Sequence, residues 1–253
     1  MAKPIKRGTR ASHKVNSVSA FLKYIEREKQ DEEARGNKAD FIFRGQSIDK
    51  PLLPKLARPP LHHDLQNREK LVFEEFKRTS LGLTDLTPES EWDFLALAQH
   101  HGLPTRLLDW TYGALAAVWF AVENGGKDHD GNPQNAVVWL LKTQKNDFIE
   151  REKQPNVGPL DNHKTRIYRP RAVTRRIVAQ GGLFTVHMFQ VTKSKFIPLD
   201  ENNAYRDRLV KFSIEARFCE KIKAELDGCG VNRASLFPDL DGLCGHLAWR
   251  YFK

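Results

Sequence analysis

The densest group of chemically able side chains in this sequence is the stretch Gln99-His100-His101-Gly102-Leu103-Pro104-Thr105-Arg106-Leu107-Leu108-Asp109-Trp110-Thr111. It sets an amide, imidazoles, hydroxyls, a guanidinium and a carboxylate around a glycine-proline turn. If a helix ends at Gly102, its carbonyl end favours a protonated His100 or His101. Asp109 or His100 would then supply charge or transfer a proton. Two readings stand side by side. Either these groups converge on a ligand, or Arg106 and Asp109 form an internal ion pair that braces the loop while the histidines cap carbonyls.

Two further segments carry groups that suit a nucleotide. Phe41-Ile42-Phe43 is a short apolar run ended by Arg44-Gly45-Gln46, which reads as a buried strand delivering a guanidinium to its mouth. A fixed guanidinium holds phosphate oxygens bidentately. In Gln180-Gly181-Gly182-Leu183-Phe184, Gln180 and Phe184 could set an amide and an aromatic ring against a nicotinamide or adenine. The same residues also fit a glycine-permitted bulge in a strand. Asp239 and Asp241 read first as the acidic opening turn of a helix and second as a carboxylate pair. Trp110, Trp119 and Trp139 read as core.

Several mechanisms lack their signatures. There is no phosphate loop, no dinucleotide glycine fingerprint after a strand, no nucleophile elbow and no paired-histidine zinc helix. The adjacent pairs His62-His63 and His100-His101 lack the i, i+4 spacing of helical metal ligands, so no metal site is expected. Three cysteines, Cys219, Cys229 and Cys244, form no close pair and read as reduced thiols in a core. The 253 residues carry a net charge of +9, with 40% hydrophobic and 29% charged residues, a globular composition. No apolar run reaches the ~18–20 residues of a membrane span and no signal-peptide core opens the chain, so a cytoplasmic protein without a membrane partner is expected.

The positive charge is concentrated. Lys3, Lys6, Arg7, Arg10 and Lys14 stand at the start without an acid, and a second basic cluster runs from Lys164 to Arg176 around Tyr168. Either could contact phosphates, of a nucleic acid or of a small ligand, or could simply be solvated. Residues 1–15 are expected to be a basic flexible arm and 16–253 a single domain.

The elements that must position these groups follow from periodicity. Val18, Phe21, Leu22 and Ile25 mark a helix near 17–30 with Ser17 as cap, and Leu71, Val72, Phe73 and Phe76 mark a second. Thr87-Pro88 is expected to open a third helix that Gly102 closes. ALAAVWFAVE within 113–124 reads as a helix apolar nearly all round, and 136–141 as a buried strand. Residues 147–161 read as a connection, 174–188 as two strands around Gly181-Gly182, and 209–214 as another strand. Phe218, Ile222 and Leu226 mark a helix ended by Gly228, and Leu240, Leu243 and Leu247 mark the last. Helices first, strands later and no βαβ alternation give an α+β fold with mixed or antiparallel central sheets and flanking helices.

Taken together, Phe43-Arg44-Gly45-Gln46, QHHGLPTRLLDWT with Ala116, Phe120 and Ala121, Arg176-Ile177 with Gln180, Gly182, Phe184 and Thr185, and Leu236 to Leu243 resemble the FRG domain family. More distantly, the sequence is similar to ADP-ribosyltransferases, which implies a split sheet. That resemblance would put Arg44 on NAD phosphate or ribose, and Thr105 or Thr111 before Phe120-Ala121 on the following strand. Gln180 stands where the family's glutamate is expected. The implied site comprises Arg44, His100, Thr105, Asp109 and Gln180 as catalytic groups, with Gly45, Gln46, Gln99, Arg106 and Phe184 beside the ligand. The expected activity is the use or cleavage of NAD as a substrate, as in a bacterial or phage toxin or defence effector acting on a protein or nucleic-acid target. The alternatives are a nucleic-acid-binding or nuclease-like module and a non-catalytic metabolite sensor.

Overall fold

The computed structural model describes residues 12–60, 63–84, 88–128, 130–150, 157–161, 163–171 and 179–252. In chain order its first elements are β1 (Ser12–Val15), α1 (Val18–Ala34), β2 (Phe41–Gln46), α2 (Leu65–Ser80), α3 (Glu91–His100), β3 (Leu107–Thr111) and α4 (Ala114–Val122). Then come β4 (Ala136–Lys142), β5 (Arg166–Tyr168), β6 (Gly182–Val186), β7 (Phe189–Gln190), β8 (Lys195–Phe196) and β9 (Leu209–Ile214). Helices α5 (Ala216–Gly228), α6 (Arg233–Leu236) and α7 (Leu240–Tyr251) complete the described chain. This is the α+β class expected from the sequence.

The chain divides into two compact units. One comprises Met1–Lys50, Thr111–Thr143 and Asp200–Lys253; the other comprises Pro51–Trp110 and Gln144–Leu199. Each unit is assembled from segments far apart in the chain.

In the first unit the strands run in the order β1-β9-β4-β2. Strand β4 pairs antiparallel with both β2 and β9, and β1 lies parallel to β9, giving a mixed sheet. The apolar run of β4 is buried from Ala136 to Leu141, as a strand with neighbours on both sides and cover on both faces must be. The core joins Phe21 and Ile25 of α1 with Phe43, Ala117, Trp119, Ala121, Leu140 and Phe212. Helix α1 is capped by Ser17, whose side chain accepts from Ala20 N, and it runs past the expected end through its charged tail. Ser12 to Val15, expected within a flexible arm, form β1; the arm's residues 1–11 lie outside the described residues.

Gly45 explains why β2 can sit under α4. A Cβ there would lie 1.9 Å from the Ala117 carbonyl oxygen and 2.6 Å from the Ala121 backbone nitrogen. Only the absence of a side chain permits this approach.

At the end of β4, Lys142 Nζ lies 2.7 Å from Glu28 and 2.9 Å from Glu32. Burial alone would push the Glu32 carboxyl up. Hydrogen bonds from Lys142 and Asn37, with the charges of Lys142 and Arg35, outweigh burial and leave it below its ordinary 4.5. Burial pulls Lys142 down, and its two carboxylate partners hold it above its ordinary 10.5.

The second unit places its strands in the order β3-β6-β5, with β7 and β8 as a separate antiparallel pair. Phe73, Trp92, Leu95, Leu107, Tyr168, Phe184 and Val186 form its core. Helix α3 is capped by Ser90, which accepts from Asp93 N, and not by the expected Thr87, which lies outside the described residues. The expected first strand of 174–188 also falls there in large part; the described strand begins at Gly182.

Two expectations need correction. Cys219 alone is buried, its thiol pushed up to about 11 by burial, while Cys229 and Cys244 are exposed. The leucines that mark α7 are also exposed, Leu240 at 77%. This helix packs instead through Gly242 and His246, where close backbone approach replaces large side chains. No helix among the described residues is long and apolar enough to cross a membrane.

Gly45→Ala is expected to destabilise the protein by about 1–3 kcal/mol through overpacking, measured by urea denaturation; ordinary strand propensity would give the opposite sign. The stabilisation that Glu32 contributes is present above pH 4.5 and is lost as pH falls through its lowered folded value. That of Lys142 is present below 10.5 and lost as pH rises through its raised value. Lys142→Met is therefore expected to cost on the order of 3 kcal/mol near neutrality and to flatten the acid limb of a stability-versus-pH curve.

Candidate functional site

The second unit brings three of the expected site residues into one hydrogen-bonded chain. Gln99 lies in the last turn of α3, so its side chain leaves the helix just before the turn that leads into β3. The Leu107 backbone N–H donates to Thr105 Oγ1 at 3.1 Å, and Thr105 Oγ1 donates to Gln99 Oε1 at 2.6 Å. Gln99 Nε2 then donates to both oxygens of Asp109, at 3.0 and 3.1 Å. Because Gln99 Oε1 is committed as an acceptor, its amide nitrogen must face Asp109.

Asp109 is the one exposed residue of β3; Leu107, Leu108, Trp110 and Thr111 are all buried. The strand thus presents a single carboxylate to solvent with its orientation fixed by the amide. Thr105, only 2% exposed, does not itself face solvent and acts through Gln99. His100 ends α3, and its ring meets that of His101 edge to face at 5.1 Å. Gln180 is half-buried immediately before Gly181 and β6.

Arg106 has a different role from the ligand contact expected of it. It is 2% exposed and forms a two-pronged ion pair with Glu69 of α2, Nε to Oε1 at 2.7 Å and Nη2 to Oε2 at 2.5 Å. Its Nη1 donates to the Leu160 carbonyl at 3.1 Å. The Arg106–Asp109 ion pair read from the sequence does not form: Arg106 pairs with Glu69 instead, and Gln99 holds Asp109. The signal for Glu69 was its position four residues before Phe73 on the face of α2 that turns inward: an acid at an apolar-face position needs a buried cation.

The other expected ligand contacts are placed as follows. Phe184 is 5% exposed within the core of the second unit, packed with Trp92 and Tyr168. Arg44, Gly45 and Gln46 belong to the first unit. Arg44 is half-buried opposite Trp139, Gly45 lies against α4, and Gln46 Oε1 accepts from Trp139 Nε1 at 2.9 Å. Asp239 caps α7, accepting from Gly242 N at 2.7 Å, which is the helix-opening reading.

In the basic cluster Tyr168 is 1% exposed. Arg169 lies 4.1 Å over the Phe148 ring and Arg171 pairs with Glu89. Residues 172–178, with Arg175 and Arg176, lie outside the described residues. No group of three or more metal-ligating side chains occurs among the described residues.

Residues 39–130 match the family model of the FRG domain. The matched segment contains both Phe43-Arg44-Gly45-Gln46 and the 99–111 stretch. No curated relative and no solved structure matches the chain.

Removing either member of the buried pair, by Arg106→Ala or Glu69→Ala, is expected to cost about 3–5 kcal/mol, since each leaves an uncompensated buried charge. The double change to leucine at both positions is expected to cost less than either single change, by guanidinium chloride denaturation. Equal and additive losses would contradict a coupled pair.

Proposed function

We propose that this protein binds NAD and cleaves its nicotinamide glycosidic bond in the manner of an ADP-ribosyltransferase, with Asp109 as the charge-bearing group. The observation that supports the reading is the exposed Asp109 carboxylate held at both oxygens by Gln99. In the reaction, the bond between ribose C1′ and the pyridinium nitrogen breaks. The bonding pair passes to the ring nitrogen and nicotinamide leaves neutral, so positive charge builds on the ribose. A preoriented carboxylate lowers the energy of that charge and accepts a hydrogen bond from the 2′-hydroxyl. Water or an acceptor hydroxyl then bonds to C1′ and releases a proton.

This division of labour answers the glutamine at position 180. Gln180 can hydrogen-bond a ribose but carries no charge, so the electrostatic role falls to another acid of the same unit. Thr105 positions Gln99, and Gln99 positions the acid. A pre-fixed group costs no reorganisation as charge develops, and that is the advantage of a carboxylate anchored before substrate arrives.

Purified protein is expected to release nicotinamide from NAD, followed by chromatography. Asp109→Asn is expected to lower the rate by roughly a hundredfold while changing stability by no more than about 0.5 kcal/mol, as befits an exposed site. Gln99→Leu, which keeps the acid and removes its anchor, is expected to lower the rate by roughly tenfold to a hundredfold. A melting shift with NAD but no nicotinamide release would instead favour a metabolite sensor. Neither release nor shift would remove the proposal.

A further inference from the structure

The first unit holds a cavity of about 160 Å³ formed where the end of α4, helix α5, the start of α6 and helix α7 meet. It lies wholly within that unit, to which Asp109 does not belong. Its volume is several times the roughly 30 Å³ share of one water and below the roughly 300 Å³ at which drug-sized sites begin. A dinucleotide does not fit, and a small molecule does.

Three basic side chains line it, and each is held in place. Arg233 donates from Nη1 to Glu123 Oε1 at 2.9 Å, and its guanidinium lies 5.5 Å over the Phe237 ring. Its stem crosses α7 at Gly245, where a Cβ would come within 2.5 Å of Arg233 Cδ and Nε. The glycine is thus the seat of the arginine. Lys223 donates to the Glu123 carbonyl oxygen at 2.8 Å and sits 5.1 Å over the Trp249 ring. His246 is buried, stacks on Trp249 at 6.2 Å and stands 3.8 Å from Asp227.

Glu123 and Asp227 are the acids of the lining, and Lys223 and Arg233 balance them; Arg250, outside the lining, stands 3.8 Å from Asp227. The sign of the ligand follows instead from Arg233, whose Nε is buried and has no hydrogen-bond partner among the described residues, a donor that native interiors rarely leave unmet. An anionic oxygen at this donor would form a charge-assisted bond.

We propose that this cavity is a binding site for a small oxyanion, a phosphate or carboxylate group, received by Arg233 Nε with Lys223 and His246 beside it. The site goes beyond the NAD reading, and its test does not use nicotinamide release. The full chain is titrated by calorimetry at fixed pH and ionic strength with inorganic phosphate and, separately, with acetate; the two arms tell which oxyanion the site takes. Binding of one or both is expected, weakened at least tenfold in Arg233→Gln. Gly245→Ala is the second variant: it displaces the arginine while raising helix propensity, so it is expected to weaken binding without lowering the melting temperature. Failure of both anions to bind at tens of millimolar, or equal binding in wild type and both variants, would overturn the proposal.

Discussion

The buried pair between Arg106 and Glu69 is the interaction on which the second unit turns. A guanidinium and a carboxylate, both nearly sealed from water, can coexist there only because two parallel hydrogen bonds and a carbonyl offset their desolvation. The pair ties α2 to the first residues leading into β3 and so fixes where Thr105 and Asp109 emerge. The Arg106 carbonyl also accepts from His187 N at 3.0 Å, which joins the same point to the residue following β6. A site built on a loop would drift; here the loop is anchored on both sides by an interaction that is costly to break.

In the first unit the equivalent constraint is steric rather than ionic. The apolar strand β4 needs cover, and α4 supplies it by lying so close to β2 that position 45 has no room for a side chain. Charge appears at the end of β4, where Lys142 meets Glu28 and Glu32. The same division recurs around α7, where Gly242 and Gly245 allow close packing while Leu240, Leu243 and Leu247 face outward. Small residues at contacts and polar residues at their margins leave the cavity beneath Arg233 lined by charge.

Much of this was legible locally. The 3.6-residue spacing of Val18, Phe21 and Ile25 marks α1, and the unbroken apolar run of 136–141 marks a doubly covered strand. Within 99–111, Gln99, Thr105 and Asp109 are joined by hydrogen bonds, while Arg106 is engaged separately by Glu69. What the spacing could not supply was partnership. Arg106 and Asp109 are three apart and opposite in charge, so a local pair is the natural reading, but strand geometry points residues an odd number apart to opposite faces. One face meets Glu69 and the other meets Gln99. Likewise Phe184, which reads from the sequence as a ring against a ligand or as part of a glycine-permitted bulge, is packed with Trp92 and Tyr168 in the core.

Sequence alone therefore determined the α+β class, the principal helices and strands, and the FRG-type motifs, because each of these is set by periodicity or residue order over a few turns of chain. Tertiary structure alone decided the division into two units, the Glu69 partner, the Gln99 anchor on Asp109 and the seat of Arg233 on Gly245. Each of those depends on desolvation and close contact between residues distant in the chain, and a buried charge or a missing Cβ acquires its meaning only from the atoms that fold against it.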